Sequence, residues 1–269
     1  MAGRLWTLFF MFAAVLAVVV FWMAPDLGWW FPGDGRAHTP LGQKIDDLFY
    51  LILTITGLTF VGVQIALGYV LWRGAAAGQD PQAKSVFSHG SHTLEVIWTI
   101  VPAGILLFIA LYQMDVWAHY RVKTLFPKKL EPVAEVTARQ FEWRIRYPAR
   151  GKKLQPTPQP DDLYTVNDLR VPAGRPVSIS LRTEDVQHSF FVPELRVKQD
   201  AVPGLVIPVW FEVTDVGTYE LACAELCGWG HYKMKARVKA ESAADFEAWK
   251  TQAAREQFDD GYRPPADGE

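Results

Sequence analysis

Three stretches of the chain are apolar throughout and contain no charged residue. They run, in chain order, over residues 5–25, 48–72 and 96–114. Each is near or above the roughly 18 apolar residues that a bilayer-spanning helix requires. Aromatic side chains cluster at their ends, as is typical of membrane–water interfaces. The pattern predicts membrane helices over about residues 46–72 and 94–114. The first stretch, within residues 1–24, is either a third membrane helix or a cleaved signal segment.

Beyond residue 120 apolar and polar residues alternate one by one. In the segment FEWRIRY, one face of the predicted strand carries Phe141, Trp143, Ile145 and Tyr147, and the other carries Glu142, Arg144 and Arg146. The segments PVSISLRT, IPVWFEV and KMKARVKA alternate in the same way, and PAGRP, DAVPG and TDVGTY supply turns between strands. Short alternating strands at this spacing predict an antiparallel sandwich or barrel.

These patterns divide the chain into four predicted parts. They are a first helix or signal over residues 1–24, a membrane hairpin over 25–120, a β domain over 121–240, and a helix and tail over 241–269. Ser242 is a candidate N-cap for the last helix. Phe246 and Trp249, three residues apart, are expected to pack that helix on the sheet, and the final residues are expected to be disordered.

Composition narrows the class of protein. The chain has 269 residues, a net charge of −2 and 11 tryptophans, and half of its residues are hydrophobic. A net charge so close to zero gives no indication of nucleic-acid binding. With only two cysteines, the chain has no disulfide framework. The composition fits a protein that is partly embedded in a lipid bilayer and carries one further domain of ordinary size.

Both cysteines lie in one short segment, CAELCGWGHYKM. Cys223 and Cys227 are followed by His231 and Met234, a set of soft and borderline donors that favours copper over magnesium or calcium. Two sulfurs in one loop can bridge two copper ions, and each ion then needs one imidazole. Among the six histidines only His188 also lies in the predicted β domain, so it is the best second imidazole.

Other interpretations of these residues remain open at this point. The two cysteines could form a disulfide, which would leave the neighbouring histidine and methionine unexplained. Two cysteines and two histidines are also a legitimate zinc set. His188 could be an ordinary buried histidine, and Met234 could be part of the core.

Several motifs in the right order resemble the subunit II family of haem–copper respiratory oxidases, most closely cytochrome c oxidase subunit II. The resemblance covers about residues 45–240. CAELCGWGHYKM resembles the CuA motif C-x-E-x-C-x-x-x-H-x-x-M, and QHSFFVPEL resembles the strand that carries the other CuA histidine. KQDAVPG and TLEVIWTIVPA resemble a turn and the start of a membrane helix in that family. The resemblance implies an extracytoplasmic, cupredoxin-like Greek-key sandwich.

The resemblance also implies a role for each matching residue. Cys223 and Cys227 would bridge two coppers, with His188 and His231 as terminal ligands and Met234 as a weak ligand. Glu225 would give its backbone carbonyl to copper and its side chain to a magnesium ion at the contact with subunit I, near Asp200. Glu95 would stand at the mouth of a proton channel into subunit I. By itself, an acid there can equally be explained by the helix dipole.

As a family member, the chain would be subunit II of the proton-pumping enzyme cytochrome c oxidase. It would accept electrons from a cytochrome c and pass them to haem in subunit I, which carries haem and CuB and reduces oxygen to water. Subunit III is a further expected partner. The location implied is a bacterial-type inner membrane, with the CuA domain on the periplasmic side. The chain has no C-x-x-C-H haem motif of its own.

One departure from the family affects the expected donor. The family pattern Q-W-x-W-x-Y reads QFEWRIRY here, so Phe141 replaces the first tryptophan and Trp143 matches the second. Trp143 is a candidate for receiving electrons, or simply packs in the sheet. Arg144 and Arg146 would repel a basic cytochrome c, which favours a less basic, membrane-anchored or complex-bound donor.

Among competing functions, a quinol oxidase subunit would lack the copper ligands, nitrous oxide reductase would lack the membrane helices, and a copper carrier would need a labile site.

Overall fold

The computed structural model describes residues 2–31, 33–77, 82, 87, 89–127 and 130–259. The predicted disordered end of the C-terminal tail, from residue 261 onward, lies outside the described residues. The chain forms two compact units. One unit comprises Met1–Trp30 and Asp46–Trp117, and the other comprises Phe31–Ile45 and Ala118–Glu269.

Three long helices contain the predicted apolar stretches: α1, Ala2–Met23; α2, Pro40–Ala77; and α3, His92–Arg121. By length and composition, each could cross a membrane. Almost none of the side chains in their apolar windows is buried within the chain, as expected of surfaces that face lipid or another membrane subunit.

Helices α2 and α3 both extend beyond the predicted ranges of 46–72 and 94–114. The prediction ended each helix where charged residues begin, but backbone hydrogen bonding continues into the polar flanks. Thr39 caps the start of α2, because its Oγ1 accepts a hydrogen bond from the Gly42 backbone N–H at 2.8 Å. Pro40 takes the first helical position, which proline favours. The dipeptide Thr39–Pro40 is therefore a start signal that the apolar pattern alone did not reveal.

The second unit contains ten strands. They are β1, Pro132–Arg139; β2, Glu142–Tyr147; β3, Leu163–Val166; β4, Asp168–Pro172; β5, Pro176–Thr183; β6, His188–Val192; β7, Val197–Ala201; β8, Ile207–Glu212; β9, Gly217–Cys223; and β10, Lys235–Glu241. They form two five-stranded sheets, in the orders β3-β2-β1-β5-β8 and β4-β10-β9-β6-β7. Two pairings are parallel, β1 with β5 and β4 with β10. This architecture confirms the predicted membrane helices followed by an all-β, cupredoxin-like Greek-key sandwich.

The predicted inward faces make up the core between the sheets. On β2, the side chains of Trp143, Ile145 and Tyr147 are fully buried. On the other sheet, Met234, Ala236, Val238 and Ala240 of the segment KMKARVKA are all buried. Period-two alternation therefore identified the buried face of these strands correctly.

The outward face of β2 differs from the prediction at Arg146. Its side chain is only 4% exposed and lies between two carboxylates, 3.2 Å from Glu135 Oε1 and 2.7 Å from Asp162 Oδ2. Arg144, by contrast, is partly exposed and lies 2.8 Å from Glu142 Oε1. The predicted exposure of Arg146 on the outward face is therefore wrong, whereas Arg144 does lie on that face, paired with an acid of its own strand.

A fourth helix, α4, Ala243–Asp259, follows the last strand. Ser242 caps it as predicted, since its Oγ accepts a hydrogen bond from the Asp245 backbone N–H at 3.1 Å. Phe246 is buried in the core, and the Trp249 ring packs edge-on against Tyr147 with centroids 5.1 Å apart. The predicted packing of this helix on the sheet is confirmed.

The segment 31–45, which the prediction assigned to the membrane hairpin, packs on the sandwich. The His38 backbone N–H donates to the Glu194 carbonyl at 2.9 Å, and the Thr39 hydroxyl donates to the Leu195 carbonyl at 2.9 Å. His38 Nδ1 lies 2.8 Å from Asp215 Oδ2. These contacts join residues far apart in sequence, so no local pattern indicates them.

Candidate metal centre

Strand pairing brings the predicted donor residues together at one end of the second sheet. His188 is the first residue of β6, and Cys223 is the last residue of β9. These strands are neighbours, with Phe190 opposite Cys223. Cys227 and His231 lie in the loop that follows β9, and Met234 ends that loop. The Cys223 backbone N–H donates to the Met234 carbonyl at 3.1 Å, which closes the loop on itself.

The two sulfurs and two imidazoles form two nearly equal pairs. Cys223 Sγ lies 3.8 Å from His188 Nδ1, and Cys227 Sγ lies 3.7 Å from His231 Nδ1. The two sulfurs are 3.9 Å apart. This separation is far longer than the ~2.05 Å of a disulfide. Both cysteines are free and buried, so the disulfide interpretation is wrong.

Each sulfur also has one weaker donor beside it. Met234 Sδ lies 3.9 Å from Cys227 Sγ, and the Glu225 backbone carbonyl lies 3.2 Å from Cys223 Sγ. His188, Cys223 and Cys227 place their ligand atoms within 4.8 Å of one another, a cluster that could hold a metal ion. Thiolate, imidazole and thioether donors in one buried cluster suit a soft metal such as copper.

Asp185, which the sequence analysis missed, orients the His188 ring from the side that faces away from Cys223. Its Oδ1 lies 2.8 Å from His188 Nε2, the ring nitrogen that faces away from Cys223. A proton shared between Nε2 and this carboxylate would leave Nδ1 of the neutral imidazole as the nitrogen that could bind a metal ion. The Gln140 and Val186 backbone N–H groups donate to the same carboxylate. Burial opposes ionisation of Asp185, but these hydrogen bonds lower the pKa of its carboxyl.

The two thiols differ in how readily they ionise. Burial disfavours the thiolate at both positions. At Cys223 the hydrogen bonds with His188 and with the Ser189 backbone outweigh burial and lower the pKa to about 6. At Cys227 burial and the neighbouring Cys223 sulfur raise the pKa to about 12. The hydrogen bonds around Cys223 therefore favour the thiolate form at Cys223 over that at Cys227.

Of the two residues predicted to hold magnesium, Asp200 lies on this sheet and Glu225 lies in the loop that follows β9. Asp200 is on β7, where Ser189 Oγ donates to it at 2.7 Å and Lys198 Nζ lies 2.9 Å away. These two contacts lower the pKa of its carboxyl. The Glu225 side chain is partly exposed in the loop between the two cysteines. The structure does not join these two side chains by a hydrogen bond among the described residues.

Glu95 lies in the other unit, in the first turn of α3. Its backbone N–H donates to the Ser91 carbonyl at 3.0 Å, so the acid occupies the position that a helix N-terminus favours. This geometry agrees with the structural explanation of Glu95, and its role in proton uptake stays a prediction.

Trp143 is fully buried beneath the centre, with its ring 6.4 Å from the His188 ring and 5.8 Å from the Phe190 ring. It therefore offers no surface to a donor protein. Phe141 packs edge-on against Trp229, with centroids 5.3 Å apart. That tryptophan, in the loop itself, is strongly exposed. The sequence analysis did not single it out, although its place between Cys227 and His231 is a signal that could have done so.

Comparison with protein families gives two matches. Residues 151–241 match the family model described as cytochrome C oxidase subunit II, periplasmic domain. Residues 28–116 match the model described as cytochrome C oxidase subunit II, transmembrane domain. Together these matches cover more than half of the chain.

Individual relatives extend over most of the chain. The alternative cytochrome c oxidase subunit 2 of Bradyrhizobium diazoefficiens is 30% identical over 249 residues, covering 82% of this chain and 83% of the relative. Cytochrome c oxidase subunit 2 of Thermostichus vulcanus is 28% identical over 300 residues, covering 93% of this chain and 85% of the relative. The solved periplasmic domain of subunit II of cytochrome oxidase from Bradyrhizobium japonicum is 24% identical and covers 49% of this chain and 99% of that domain, with a TM-score of 0.42.

Proposed function

The chain belongs to the cytochrome c oxidase subunit II family, and from this we propose that it is the electron-accepting subunit of a proton-pumping terminal oxidase. Membership makes it a membrane-bound subunit of this oxidoreductase, with a donor set consistent with a copper centre. The further steps below concern which residues hold which metal, and what they contact.

The observation that carries the proposal is the pairing of each cysteine sulfur with one imidazole. The two S–N distances are 3.8 and 3.7 Å, and the sulfurs lie between the two imidazoles. A single tetrahedral ion would need all four donor atoms close together, whereas the group of ligand atoms within 4.8 Å of one another contains His188 and both cysteines but not His231. We therefore assign Cys223 and Cys227 as bridging ligands, with His188 and His231 as terminal ligands. When bound there, a dinuclear copper centre supplies one-electron redox chemistry, between a cytochrome c and the haem of subunit I where oxygen is reduced to water.

The surrounding residues prepare this donor set. Asp185 keeps a proton on the far side of His188, so that Nδ1 points toward the sulfur pair. Met234 and the Glu225 carbonyl lie on opposite sulfurs as weaker donors. Burial of both cysteines keeps bulk water away from the thiolates. A ligand set fixed by strand ends and by a closed loop needs little rearrangement when charge changes, which favours fast electron transfer.

The remaining assignments follow from the family. The Glu225 side chain and Asp200 would hold magnesium at the contact with subunit I, because a hard cation prefers carboxylate oxygens. Glu95 would stand at the mouth of a proton channel in that subunit. Subunit III would complete the assembly. The β domain would face the periplasm from a bacterial-type inner membrane. The donor would be a cytochrome c that is membrane-anchored or bound in a complex.

Electron paramagnetic resonance of the full chain, purified in detergent and loaded with copper, tests the dinuclear assignment. One unpaired electron split equally by two copper nuclei is the expected signal. Cys227→Ser should abolish the equal splitting, and Val216→Ser, at the opposite end of β9, should preserve it. A signal from one copper nucleus in the unaltered chain, or zinc retained in place of copper, would overturn the proposal.

A further inference from the structure

Three large apolar side chains stand exposed on the loop that carries the metal ligands. Leu226 is 78% exposed, Trp229 77% and Tyr232 71%, and we call these three residues the loop patch. Leu226 directly precedes Cys227, and Tyr232 directly follows His231. Exposed groups of apolar side chains that include Trp and Tyr are typical of protein–protein contacts. A partner that covers this patch would lie within two residues of the proposed metal ligands.

The Trp229 side chain is held in place by the Phe141 ring, which the neighbouring glycines allow to come close. The two glycines beside it leave room for the Phe141 ring, since a Cβ on Gly230 would lie 2.5 Å from a ring carbon and a Cβ on Gly228 would lie 3.2 Å from another. Gln140 and Phe141 form the turn between β1 and β2. Gln140 Nε2 donates to the Cys227 carbonyl at 2.5 Å, which ties this turn to the loop. The Trp229 ring then rests edge-on against Phe141. A side chain already ordered in this way loses little entropy when a partner binds.

One cation accompanies the patch. Lys233 Nζ lies 4.7 Å from the centre of the Trp229 ring and 5.7 Å from that of Tyr232, both within range of a cation–π interaction. Arg144 and Arg146 of β2 are instead each paired with an acid. A partner with acidic groups around its contact surface would be attracted by Lys233, and one with a ring of lysines would be repelled.

We propose that Trp229 is the residue against which an electron-donating cytochrome places its exposed haem edge, and that Lys233 selects a donor with an acidic rim. This inference rests on the proposed function. In the step it serves, the ferrous haem iron of the donor loses one electron and becomes ferric, and the centre held by the two cysteines and two histidines gains that electron. No atom or proton is transferred. From Trp229 the covalent path runs through Gly230 to His231.

The test uses the assembled oxidase in detergent and two forms of one probe. The probe is horse cytochrome c with zinc in place of iron, either with its native lysine-rich surface or with those lysines succinylated to give an acidic surface. Laser flashes yield the electron-injection rate, and quenching of probe fluorescence yields the dissociation constant. Val216→Ser is the matched control. That side chain is 68% exposed and lies immediately before β9, roughly 20 Å from Cys223 at the far end of the strand.

Trp229→Leu should slow injection from the succinylated probe by about tenfold or more, as expected for a central aromatic contact. It should leave the copper resonance spectrum, and reduction by hexaammineruthenium(II), unchanged. Lys233→Glu should speed injection from the lysine-rich probe and slow it from the succinylated probe, more strongly at low ionic strength. Val216→Ser should change none of these quantities.

The outcomes separate this inference from the proposed function. Loss of the dinuclear spectrum in the unaltered oxidase would overturn the proposed function itself. A normal spectrum, together with injection rates and dissociation constants that neither Trp229→Leu nor Lys233→Glu changes, would overturn the inference alone. If Trp229→Leu disturbs the copper spectrum, Lys233→Glu provides the test, because the Lys233 side chain is exposed and is not a metal ligand. An unchanged preference between the two probes would then refute the inference.

Discussion

The close approach of the copper loop to Phe141 leads to a specific prediction for Gly230→Ala. Gly230 has φ −92° and ψ 8°, which alanine adopts without strain. A methyl group there would nevertheless lie 2.5, 2.6 and 2.8 Å from three carbons of the Phe141 ring. Carbon atoms pack at about 3.5–4.0 Å. The loop or the Phe141 ring must therefore move by about 1 Å. The ring is restrained, because it also packs edge-on against Trp229 of the same loop.

The expected penalty follows from this overlap. Inserting one methyl group into a well-packed contact typically costs about 1–3 kcal/mol. For a unit of this size, that loss corresponds to a fall in melting temperature of roughly 2–12 °C. Because the loop also carries Cys227 and His231, we expect copper to be bound more weakly as well.

Thermal melting of the full chain in detergent, followed by near-ultraviolet circular dichroism, measures the loss of stability. Gly217→Ala is the matched control, because an added Cβ there would be no closer than 3.4 Å to any atom. Removing the ring in Gly230→Ala/Phe141→Ala should recover part of the loss, with a coupling energy of about 0.5–3 kcal/mol. If Gly230→Ala melts at the same temperature as Gly217→Ala, or if the two substitutions are additive, the steric explanation is refuted.

Four further predictions follow from named contacts. Asp185→Asn removes the carboxylate behind His188 and should weaken copper binding by about 10–100-fold in competition with a chelator, whereas unchanged affinity would count against that role. Arg146→Ala leaves the buried Asp162 carboxylate without its cation, while the partly buried Glu135 keeps Arg182 at 3.9 Å, and it should destabilise the domain by about 3–5 kcal/mol in denaturant titrations. The pKa of Asp215 is lowered by His38 and Thr214, so its contribution is present above the unfolded value. The difference in melting temperature between the unaltered chain and Asp215→Asn should therefore shrink as pH falls below about 3.9, and a constant difference would contradict this. Ser242→Ala removes the cap of α4 and should cost about 1 kcal/mol, measured by thermal melting, with Ser242→Asp retaining most of the stability.

The fold class could be predicted from local patterns. Uncharged apolar runs identified α2 and α3 and marked α1 as a helix or signal segment, and one-by-one alternation identified the inward faces of strands such as β2 and β10. These patterns are informative because helix and strand geometry repeat every few residues, so the sequence shows directly which side chains share a face. Helix ends were less well predicted, since capping by Thr39 and continuation into polar flanks do not depend on hydrophobicity.

The candidate site shows the same division. Four donors lie within twelve residues, from Cys223 to Met234, so one short loop must hold them near each other whatever the rest of the fold does. The position of His188 depends instead on β6 pairing with β9, a contact across 35 residues. The role of Asp185 became recognisable only from that pairing, because Asp185 acts through its contact with His188.

The sequence by itself determined the apolar helices, the sandwich faces and the chemistry of the copper loop. Only the tertiary structure decided that Arg146 is buried between two acids, that the segment 31–45 packs on the sandwich, and that Trp229 is held outward on Phe141. Local spacing fixes which side chains share a face or a loop, through backbone geometry. Burial, ion pairing and support by distant residues depend on which strands become neighbours, and that depends on the packing of the whole domain.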